Sequence, residues 1–403
     1  MPQRPTTILQ IIPELDAGGA EQSVVEIVVA LTRAGARALV AAEPGGRLAP
    51  EIAAAGGEVI AFPAATKNPL RMLSNARALW RLAANQGVDL IHARSRAPAW
   101  SALLAARRAG VPFVTTYHGA YNEPNALKRR YNSVMAKGDV VIANSQFTAA
   151  LIEARYHTEL ERLTVIHRGV DATVFDRARV APDRLAALRR SWDVAPGQSL
   201  ILHAARLTRW KGQSILIDAV ARLQSRGALH NAALVLAGDA QGRDSYVAEL
   251  KAQMLGLGLG THVRFAGHVR DMPAAFATAA VTVVASTEPE AFGRTAIEAA
   301  AMGCPVIATN VGAPAETVLA LPAVGRNETT GWLVPPADAE ALAAALAEAL
   351  ALQPHERAAI GKNARTHVLA AFTTQAMQRR TLTVYDRLLG TDLEREFSSR
   401  TPG

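Results

Sequence analysis

Two cations, Arg206 and Lys211, stand in the segment that follows a short apolar run at 199–204. The run predicts a buried strand, which places both cations in the loop at its carboxyl end. A guanidinium binds phosphate oxygens bidentately, and an ammonium adds a compact positive charge. Together they can stabilise a diphosphate leaving group, which gains negative charge as its bond to a sugar breaks. The alternative is a solvated loop without a chemical role.

Two carboxylates, Glu290 and Glu298, flank a turn that contains a glycine. A loop followed by a helix places Glu290 in the loop and Glu298 one turn into the helix. Glu290 can then bind sugar hydroxyls, and Glu298 can accept both hydroxyls of a ribose, as acidic residues do in other nucleotide sites. The alternative is a glutamate that caps the helix and a solvated glutamate. The free amides at the helix start suit anionic oxygens; they belong to Phe292, Gly293, Arg294 and Thr295.

A pair of glycines, Gly18 and Gly19, separates the apolar run at 7–12 from a helical pattern at 21–34. Glycines let backbone amides approach a phosphate at the start of a helix. The same pair also suits any strand-to-helix turn that needs a positive φ. Both interpretations stay open.

His118 follows the apolar run at 113–117, which puts an imidazole at the carboxyl end of a strand. A lone histidine more often has a structural role, but this position favours a catalytic one. His92 ends another strand and is expected to pack in the core. No group of histidines has the spacing of metal ligands, so no metal site is predicted. Three residues at the ends of predicted strands, or just after them, are expected to contact a second substrate, the acceptor; they are Arg94, Arg96 and Tyr117.

Short apolar runs alternate with longer amphipathic stretches along the whole chain. The runs lack polar alternation, which is typical of strands buried on both faces of a parallel sheet. We therefore expect an α/β fold with two doubly wound, Rossmann-like parallel sheets. The strands predicted for the first half are 7–12, 38–42, 58–62, 89–92, 113–117, 140–143 and 163–166. Those predicted for the second half are 199–204, 232–237, 263–266, 281–285, 305–308 and 331–334.

The strand pattern lapses in a charged stretch around 177–197. A joint there predicts two domains, 1–176 and 177–373. The last helical pattern, 374–390, is expected to pack back on the first domain, and the polar residues 391–403 are expected to fray. Open α/β sheets bind ligands at the carboxyl ends of their strands, so two such domains facing each other would form a central cleft for the chemistry.

The chain has 403 residues, of which half are apolar and 19% are charged, so wholesale disorder is excluded. The net charge of +8 favours anionic partners. A single cysteine, Cys304, excludes an internal disulfide and favours a reducing compartment, so we expect a cytoplasmic protein. The apolar run near the amino terminus is too short for a signal peptide or a membrane span. Any contact with a bilayer would therefore be peripheral.

Along the chain, these motifs follow the order found in retaining glycosyltransferases of family 4, which have the GT-B fold, and the sequence resembles that family over almost the whole chain. The resemblance implies a metal-independent transfer of a sugar with retention, without an obvious protein nucleophile and with front-face attack as the diphosphate departs. It implies no cofactor, because the nucleotide-sugar donor is a substrate. The markers are Gly18 and Gly19, the pair His118 and Gly119, the loop from Arg206 to Lys211, and Glu290 with Glu298.

The resemblance also implies roles for these residues, with 177–373 as the nucleotide-sugar-binding domain and 1–176 on the acceptor side. Arg206 and Lys211 would bind the donor diphosphate, and Glu298 would bind its ribose. The transferred sugar would contact Glu290, His118 and the backbone of 292–294, and the nucleobase would face Leu207 and the stretch 267–270, which includes Val269. Two departures from the family pattern are Ala291, where glycine is common, and the segment 166–171, which replaces the commoner Pro-Asn-Gly-Val-Asp.

The resemblance further implies an envelope glycan or a lipid-linked acceptor, such as a lipopolysaccharide core. Residues 68–85 form a basic amphipathic pattern with Arg71, Arg77 and Arg81, and Lys128 to Arg130 add positive charge. Such a helix either covers a sheet or docks on an anionic bilayer. The second interpretation predicts peripheral attachment at the inner face of the cytoplasmic membrane.

Two rival functions stay open on the sequence. A nucleotide-sugar epimerase on the same two-domain fold would need acid and base groups around the sugar and no acceptor site. A nucleic-acid-binding protein is suggested only by the net charge; aromatic residues make up 5% of the chain and the basic residues are dispersed, so no stacking groove is predicted. Nucleic acid is therefore not an expected partner.

Overall fold

The computed structural model describes residues 4–16, 18–66, 68–229 and 231–400. The chain forms two compact units. The first unit contains the residues up to 168 together with those from 374 onward, and the second unit contains residues 169–373.

The first unit is built on a parallel sheet whose strands are short apolar segments. In spatial order the strands are β3-β2-β1-β4-β5-β6-β7, and all neighbours pair in parallel. The order reverses between β1 and β4, where loops leave the sheet in opposite directions and open a crevice at the carboxyl ends. The strands are β1 (Thr7–Ile11), β2 (Arg37–Ala42), β3 (Glu58–Ala61), β4 (Leu90–Ala93), β5 (Phe113–Tyr117), β6 (Val140–Ala143) and β7 (Leu163–Val165).

The second unit repeats this plan. Its strand order is β10-β9-β8-β11-β12-β13, again with parallel neighbours. The order reverses between β8 and β11, so the loops after these two strands are the expected ligand-binding loops. The strands are β8 (Ser199–Ala204), β9 (Ala232–Ala237), β10 (Val263–Gly267), β11 (Val281–Val284), β12 (Val306–Thr309) and β13 (Gly331–Val334).

Helices cover both faces of each sheet, and apolar side chains fill a core on each face. The predicted α/β fold with two doubly wound sheets is confirmed. Among the described helices, none combines the length and the apolar character needed to cross a bilayer. The helices are α1 (Gly19–Arg33), α2 (Ala49–Ala54), α3 (Pro69–Gln86), α4 (Arg96–Ala109), α5 (Ala126–Asn132), α6 (Gln146–Tyr156), α7 (Pro182–Ser191), α8 (Gln213–Ser225), α9 (Asp244–Gly256), α10 (Met272–Thr278), α11 (Arg294–Ala301), α12 (Pro314–Thr317), α13 (Ala339–Ala351), α14 (Pro354–Ala371), α15 (Thr374–Leu389) and α16 (Leu393–Arg400).

The boundary between the units lies at residue 168 rather than 176, because the segment after it is held within the second unit. Val170 N donates to Phe372 O at 2.9 Å, and Val170 forms a parallel bridge with Thr373. Arg365 Nη1 also donates to Phe175 O at 3.0 Å. The chain therefore enters and leaves the second unit at neighbouring, paired positions.

The two last helices belong to the first unit. Tyr385 of α15 places its hydroxyl 2.7 Å from His92 Nδ1. The expectation that 391–403 frays is wrong for its described part, because α16 buries Leu393 and Phe397 in the core beside α1. These two apolar residues are four positions apart and so lie on one helix face. Residues 401–403 lie outside the described residues.

Candidate active site

In the second unit, the loops that follow the neighbouring strands β8 and β11 are fastened to each other. The strands pair in parallel, so their carboxyl ends lie at one edge of the sheet. Thr287 N donates to Trp210 O at 2.8 Å. Gly212 has a φ of +73°, and a Cβ at this position would collide with Ala285 O, so only glycine fits where the loops meet. This junction joins the predicted cation loop to the predicted glutamate loop.

Lys211 and Glu290 form an ion pair at this junction. Lys211 Nζ contacts Glu290 Oε1, and Ser286 Oγ donates to the same oxygen at 2.6 Å. Lys211 Nζ also lies 4.0 Å from the centroid of the Trp210 ring, within range of a cation–π interaction. The two charged side chains are 17% and 9% exposed. Each charge is therefore largely withdrawn from water and depends on its partner.

The backbone of Glu290 is held by a third loop, which follows β12. Glu290 N donates to Val311 O at 3.1 Å, and Glu290 O accepts from Ala313 N at 2.8 Å. Gly312 lies between these partners with a φ of +90°, and a Cβ there would collide with Glu290 O. Since the chain is bonded on both sides of the residue, the carboxylate is presented from a fixed position.

Helix α11 begins at the end of the glutamate loop. Its N-cap, Gly293, has a φ of 85° and provides no side-chain cap. Thr295 Oγ1 donates to Ala204 O at 3.1 Å, which ties the first turn of α11 to the end of β8. Phe292 is buried against Phe372, with ring centroids 5.7 Å apart. The helix start and its partial positive charge are therefore fixed next to the strand end from which the cation loop leaves.

Glu298 lies farther along α11 and is half-buried. Arg294 Nε donates to Glu298 Oε1 at 3.2 Å. Burial raises the pKa of the Glu298 carboxyl, and Arg294 opposes that shift. The two predicted carboxylates therefore have different ion-pair partners: Glu290 is paired with a lysine from another loop, and Glu298 is paired with an arginine of its own helix.

The other side chains predicted to bind a donor, those of Arg206, Leu207 and Val269, differ in how far they are exposed. Arg206 is exposed. Leu207 is only 5% exposed and packs in the core, so the expectation that its side chain faces a nucleobase is wrong. Its backbone N is also engaged, because it donates to Asp239 O at 3.1 Å. Val269 is half-buried and lines a cavity of about 420 Å³ together with Trp192.

His203, a buried polar residue near the ion pair, was not predicted from the sequence. It lies in β8, and its Nδ1 is 2.9 Å from Val283 O. Burial lowers its pKa to about 4; the carbonyl of Val283 opposes that shift, and the smaller influences of Lys211 and Glu290 act in opposite directions. The imidazole is therefore neutral and donates to the carbonyl. A histidine within an otherwise apolar strand segment was the signal that could have pointed to it.

In the first unit, Arg168 connects two of the predicted site residues. Arg168 Nη2 lies 2.5 Å from His118 Nδ1, and Arg168 Nη1 donates to Gly19 O. Gly18 is the N-cap of α1 with an extended backbone, φ −152°, and Gly19 is the first residue of that helix. Neither glycine has a positive φ, so the interpretation that the pair supplies one is wrong. Burial, followed by the charges of Arg168 and Arg94, lowers the pKa of His118 well below its ordinary value.

The residues expected to contact an acceptor are less accessible than predicted. Tyr117 is fully buried in the core, so this assignment is wrong for its side chain. Arg94 is buried as well and donates to Ser23 Oγ at 2.5 Å. Arg96 donates to Asn132 Oδ1 at 2.9 Å and lies 3.9 Å from the centroid of the Tyr121 ring. Both guanidinium groups therefore already have partners within the first unit.

His92 is buried, as expected for a packing residue. Its Nε2 lies 2.7 Å from Thr116 Oγ1, and its Nδ1 lies near the Tyr385 hydroxyl. In the part of the chain that the structure describes, no three His, Cys, Asp or Glu side chains are grouped so that they could hold a metal ion.

Comparisons with known proteins match both units. Residues 17–174 match the family described as Glycosyltransferase Family 4, and residues 186–367 match Glycosyl transferases group 1. The chain is 30% identical to the D-inositol 3-phosphate glycosyltransferase of Kribbella flavida, over 90% of this chain and 91% of that protein. It is 28% identical to LpcC, a lipopolysaccharide core biosynthesis mannosyltransferase of Rhizobium leguminosarum, over 77% of this chain and 82% of that protein.

Solved structures agree with these matches. A glycosyltransferase from Rickettsia africae superposes with a TM-score of 0.87 at 33% identity, covering 97% of this chain and all of that one. HepE from Anabaena, in complex with UDP-glucose, superposes with a TM-score of 0.81 at 28% identity, covering 95% of this chain and 100% of that one. Sequence and structure therefore place the chain among the glycosyltransferases of family 4 type, which have the GT-B fold.

Proposed function

We propose that this protein transfers a sugar from a nucleotide-diphosphate donor to a hydroxyl of an envelope glycan or a lipid-linked acceptor, with retention and without a bound metal ion. The observation that carries the proposal is the junction of Lys211, Glu290 and the start of α11. The similarity to HepE supports a nucleotide-sugar donor, and the similarity to LpcC supports a lipopolysaccharide-type acceptor. These relatives do not favour the epimerase that the sequence left open.

The cation loop and the helix start receive the donor diphosphate in this proposal. Arg206 is exposed and available to bind phosphate oxygens bidentately. Lys211 adds a charge that is already held in place by Glu290 and Trp210. As the bond between sugar and diphosphate breaks, negative charge grows on the phosphate, so each charge-assisted contact of about 1.5–3 kcal/mol acts mainly on the transition state. Each cation therefore contributes roughly tenfold to a hundredfold in rate.

The two carboxylates hold the sugars on either side of the diphosphate. Glu298 accepts hydrogen bonds from the ribose, and Glu290 accepts them from the transferred sugar. The anomeric carbon loses its bond to the diphosphate oxygen while the acceptor oxygen bonds to the same face. The proton of the acceptor hydroxyl passes to the departing diphosphate. The role proposed for His118, in the first unit, is a contact with a sugar oxygen.

The donor can be identified by thermal-shift measurements with UDP-, GDP- and ADP-sugars, because a ligand of the folded state raises Tm. We expect the sugar nucleotide with one of the three bases to raise Tm more than the other two. The substitutions Lys211→Met and Glu298→Gln are each expected to reduce that rise. Arg209→Met is the matched control, since Arg209 lies in the same loop but pairs with Glu249 on the surface. Absence of a shift with every nucleotide sugar would contradict the proposal.

Stereochemistry and metal dependence need a product assay. NMR of the product formed with the identified donor is expected to show the donor's anomeric configuration, and an excess of EDTA is expected to leave kcat unchanged. An inverted product would overturn the retention part, and loss of activity that Mg²⁺ restores would overturn the metal-independent part.

We also propose, on a separate observation, that the first unit attaches peripherally to the inner face of the cytoplasmic membrane. Leu70 and Leu73 of α3 are 78% and 60% exposed beside Arg71, and Leu127 of α5 is 78% exposed beside Lys128. The rest of α3 covers the sheet through Leu79 and Ala83. Exposed leucines next to cations suit the boundary between acyl chains and anionic headgroups.

Sedimentation with vesicles of phosphatidylglycerol and phosphatidylcholine tests this attachment. We expect binding that weakens with salt and with the double substitution Leu70→Gln and Leu73→Gln. Leu255→Gln is the matched control, because Leu255 is 66% exposed in the second unit. Lack of sedimentation with anionic vesicles at low salt would remove this part of the proposal and leave the transferase part intact.

A further inference from the structure

The segment 166–171 departs from the family pattern, and its Arg168 has no role in the proposed reaction. We propose that Arg168 is a positioning residue that holds His118 as the neutral imidazole with its proton on Nε2, so that His118 serves as a hydrogen-bond donor and not as a base. The use of that donor for a sugar oxygen rests on the proposed function, whereas the tautomer itself does not.

The contact between the two side chains determines where the proton lies. Arg168 Nη2 is 2.5 Å from His118 Nδ1. A guanidinium has only N–H donors and stays protonated in proteins. Nδ1 must therefore accept the hydrogen bond with its lone pair. In a neutral imidazole the remaining proton is then on Nε2.

Arg168 is itself held in place, so it can orient the ring. Its side chain is buried, and its Nη1 donates to Gly19 O at the start of α1. One planar group thus bonds both the glycine turn after β1 and the histidine after β5. The fork geometry of a guanidinium fixes both directions at once, which a shorter asparagine at this position would not reproduce.

The surroundings oppose a second proton on the ring. The titratable and charged groups that act on His118 are Arg168, Arg94 and His92, and all three disfavour a positive imidazole. His118 Nε2 is buried and, within the described ranges, has no hydrogen-bond partner. Buried N–H groups are nearly always satisfied. A neutral Nε2–H therefore has no acceptor among the described protein atoms, and a ligand oxygen that reaches the ring would supply one.

NMR of the full-length protein labelled with ¹⁵N-histidine tests the tautomer directly, since the chain has ten histidines. The His118 signals are assigned by their loss in His118→Gln. We expect a two-bond ¹H–¹⁵N correlation pattern with unprotonated Nδ1 and protonated Nε2 throughout pH 6–8. A proton on Nδ1, or a doubly protonated ring, would overturn the proposal without bearing on whether the protein is a glycosyltransferase.

Variants test the positioning role. Arg168→Lys keeps a donor-only partner and is expected to keep the Nε2–H pattern, whereas Arg168→Met is expected to give mixed tautomers and about a tenfold lower kcat. Arg162→Met is the control, because Arg162 also donates to a backbone carbonyl of the first unit, Gly138 O at 2.5 Å. An Arg168→Met spectrum identical to that of the parent would overturn the role of Arg168.

Side-chain mimicry provides a second readout. The amide nitrogen of glutamine can take the place of Nε2, and that of asparagine takes the place of Nδ1. His118→Gln should therefore retain at least fivefold more kcat than His118→Asn in a protein of equal Tm. The reverse order would show that the working nitrogen is Nδ1 and would contradict the proposal.

Discussion

Lys211 and Glu290 are 79 positions apart in the chain and form one ion pair, because β8 and β11 are neighbours in the sheet. The pair is largely withdrawn from water. Removal of one partner leaves the other charge buried without compensation, which is more costly than removal of both.

We therefore expect Lys211→Met and Glu290→Gln each to lower the free energy of unfolding by about 2 kcal/mol, and the double variant to lose less than the sum. Urea unfolding of the four proteins in a double-mutant cycle measures the coupling. A coupling near zero would show that the pair does not stabilise the fold. The Lys211→Met variant also serves the donor-binding test above.

Gly212 offers a sharper test of how the two loops meet. Gly212→Ala must adopt a positive φ and also displace Ala285 O. Gly227 has a φ of +67° with open space around it, so Gly227→Ala should cost only about 1 kcal/mol, the penalty of the left-handed backbone. We expect Gly212→Ala to cost at least twice as much in urea unfolding and to abolish the donor-induced Tm shift. Equal costs would contradict the close approach of the loops.

Glu298 should give stability an unusual dependence on pH. Burial raises its pKa in the folded protein above the ordinary value, so between the two pKa values the folded state binds the proton more tightly than the unfolded state. Stability contributed by this group therefore falls as pH rises through that window.

Glu298→Gln is expected to flatten this part of the profile, and its stability relative to the parent should improve from pH 4.5 to pH 8. Unfolding by urea at a series of pH values measures the effect. Glu288→Gln, at an exposed position of the preceding loop, is the control and should leave the profile unchanged. A parallel shift for both variants would contradict the assignment to Glu298.

Phe397 tests the unexpected terminal helix. Its ring is fully buried in the core of the first unit. Phe397→Ala is expected to lower the free energy of unfolding by about 3 kcal/mol, as measured by urea unfolding. Ser399→Ala, on the exposed side of α16, should change it by less than about 0.5 kcal/mol. A small effect of Phe397→Ala would show that α16 detaches in solution.

The strands could be predicted because central parallel strands are buried on both faces and therefore appear as continuous apolar runs, as in β6. The position of the site could also be predicted, since loops at the carboxyl ends of strands bind ligands in this class of fold. Lys211 and Glu290 lie on such loops, although their contact with each other could be predicted only once β8 and β11 were known to be neighbours.

Side-chain direction and tertiary contacts could not be predicted. Leu207 lies in the loop after β8 and packs in the core, and Tyr117 at the end of β5 is fully buried. One or two residues at the end of a strand are too few for a hydrophobic period to show which way their side chains point. Arg168 is 50 positions from His118, and nothing local indicates their contact. The helix α16 contains few apolar residues and owes its order to packing against α1.

The first unit is completed by residues that follow the second unit in the chain, including Tyr385 and Phe397. During synthesis, the roughly 200 residues of the second unit must therefore emerge before α15 and α16 can pack on the first unit. Until then an apolar surface of the nascent amino-terminal half stays open to water, where it is a target for chaperones or for wrong partners. A shortened chain that ends after residue 373 would leave that surface uncovered permanently.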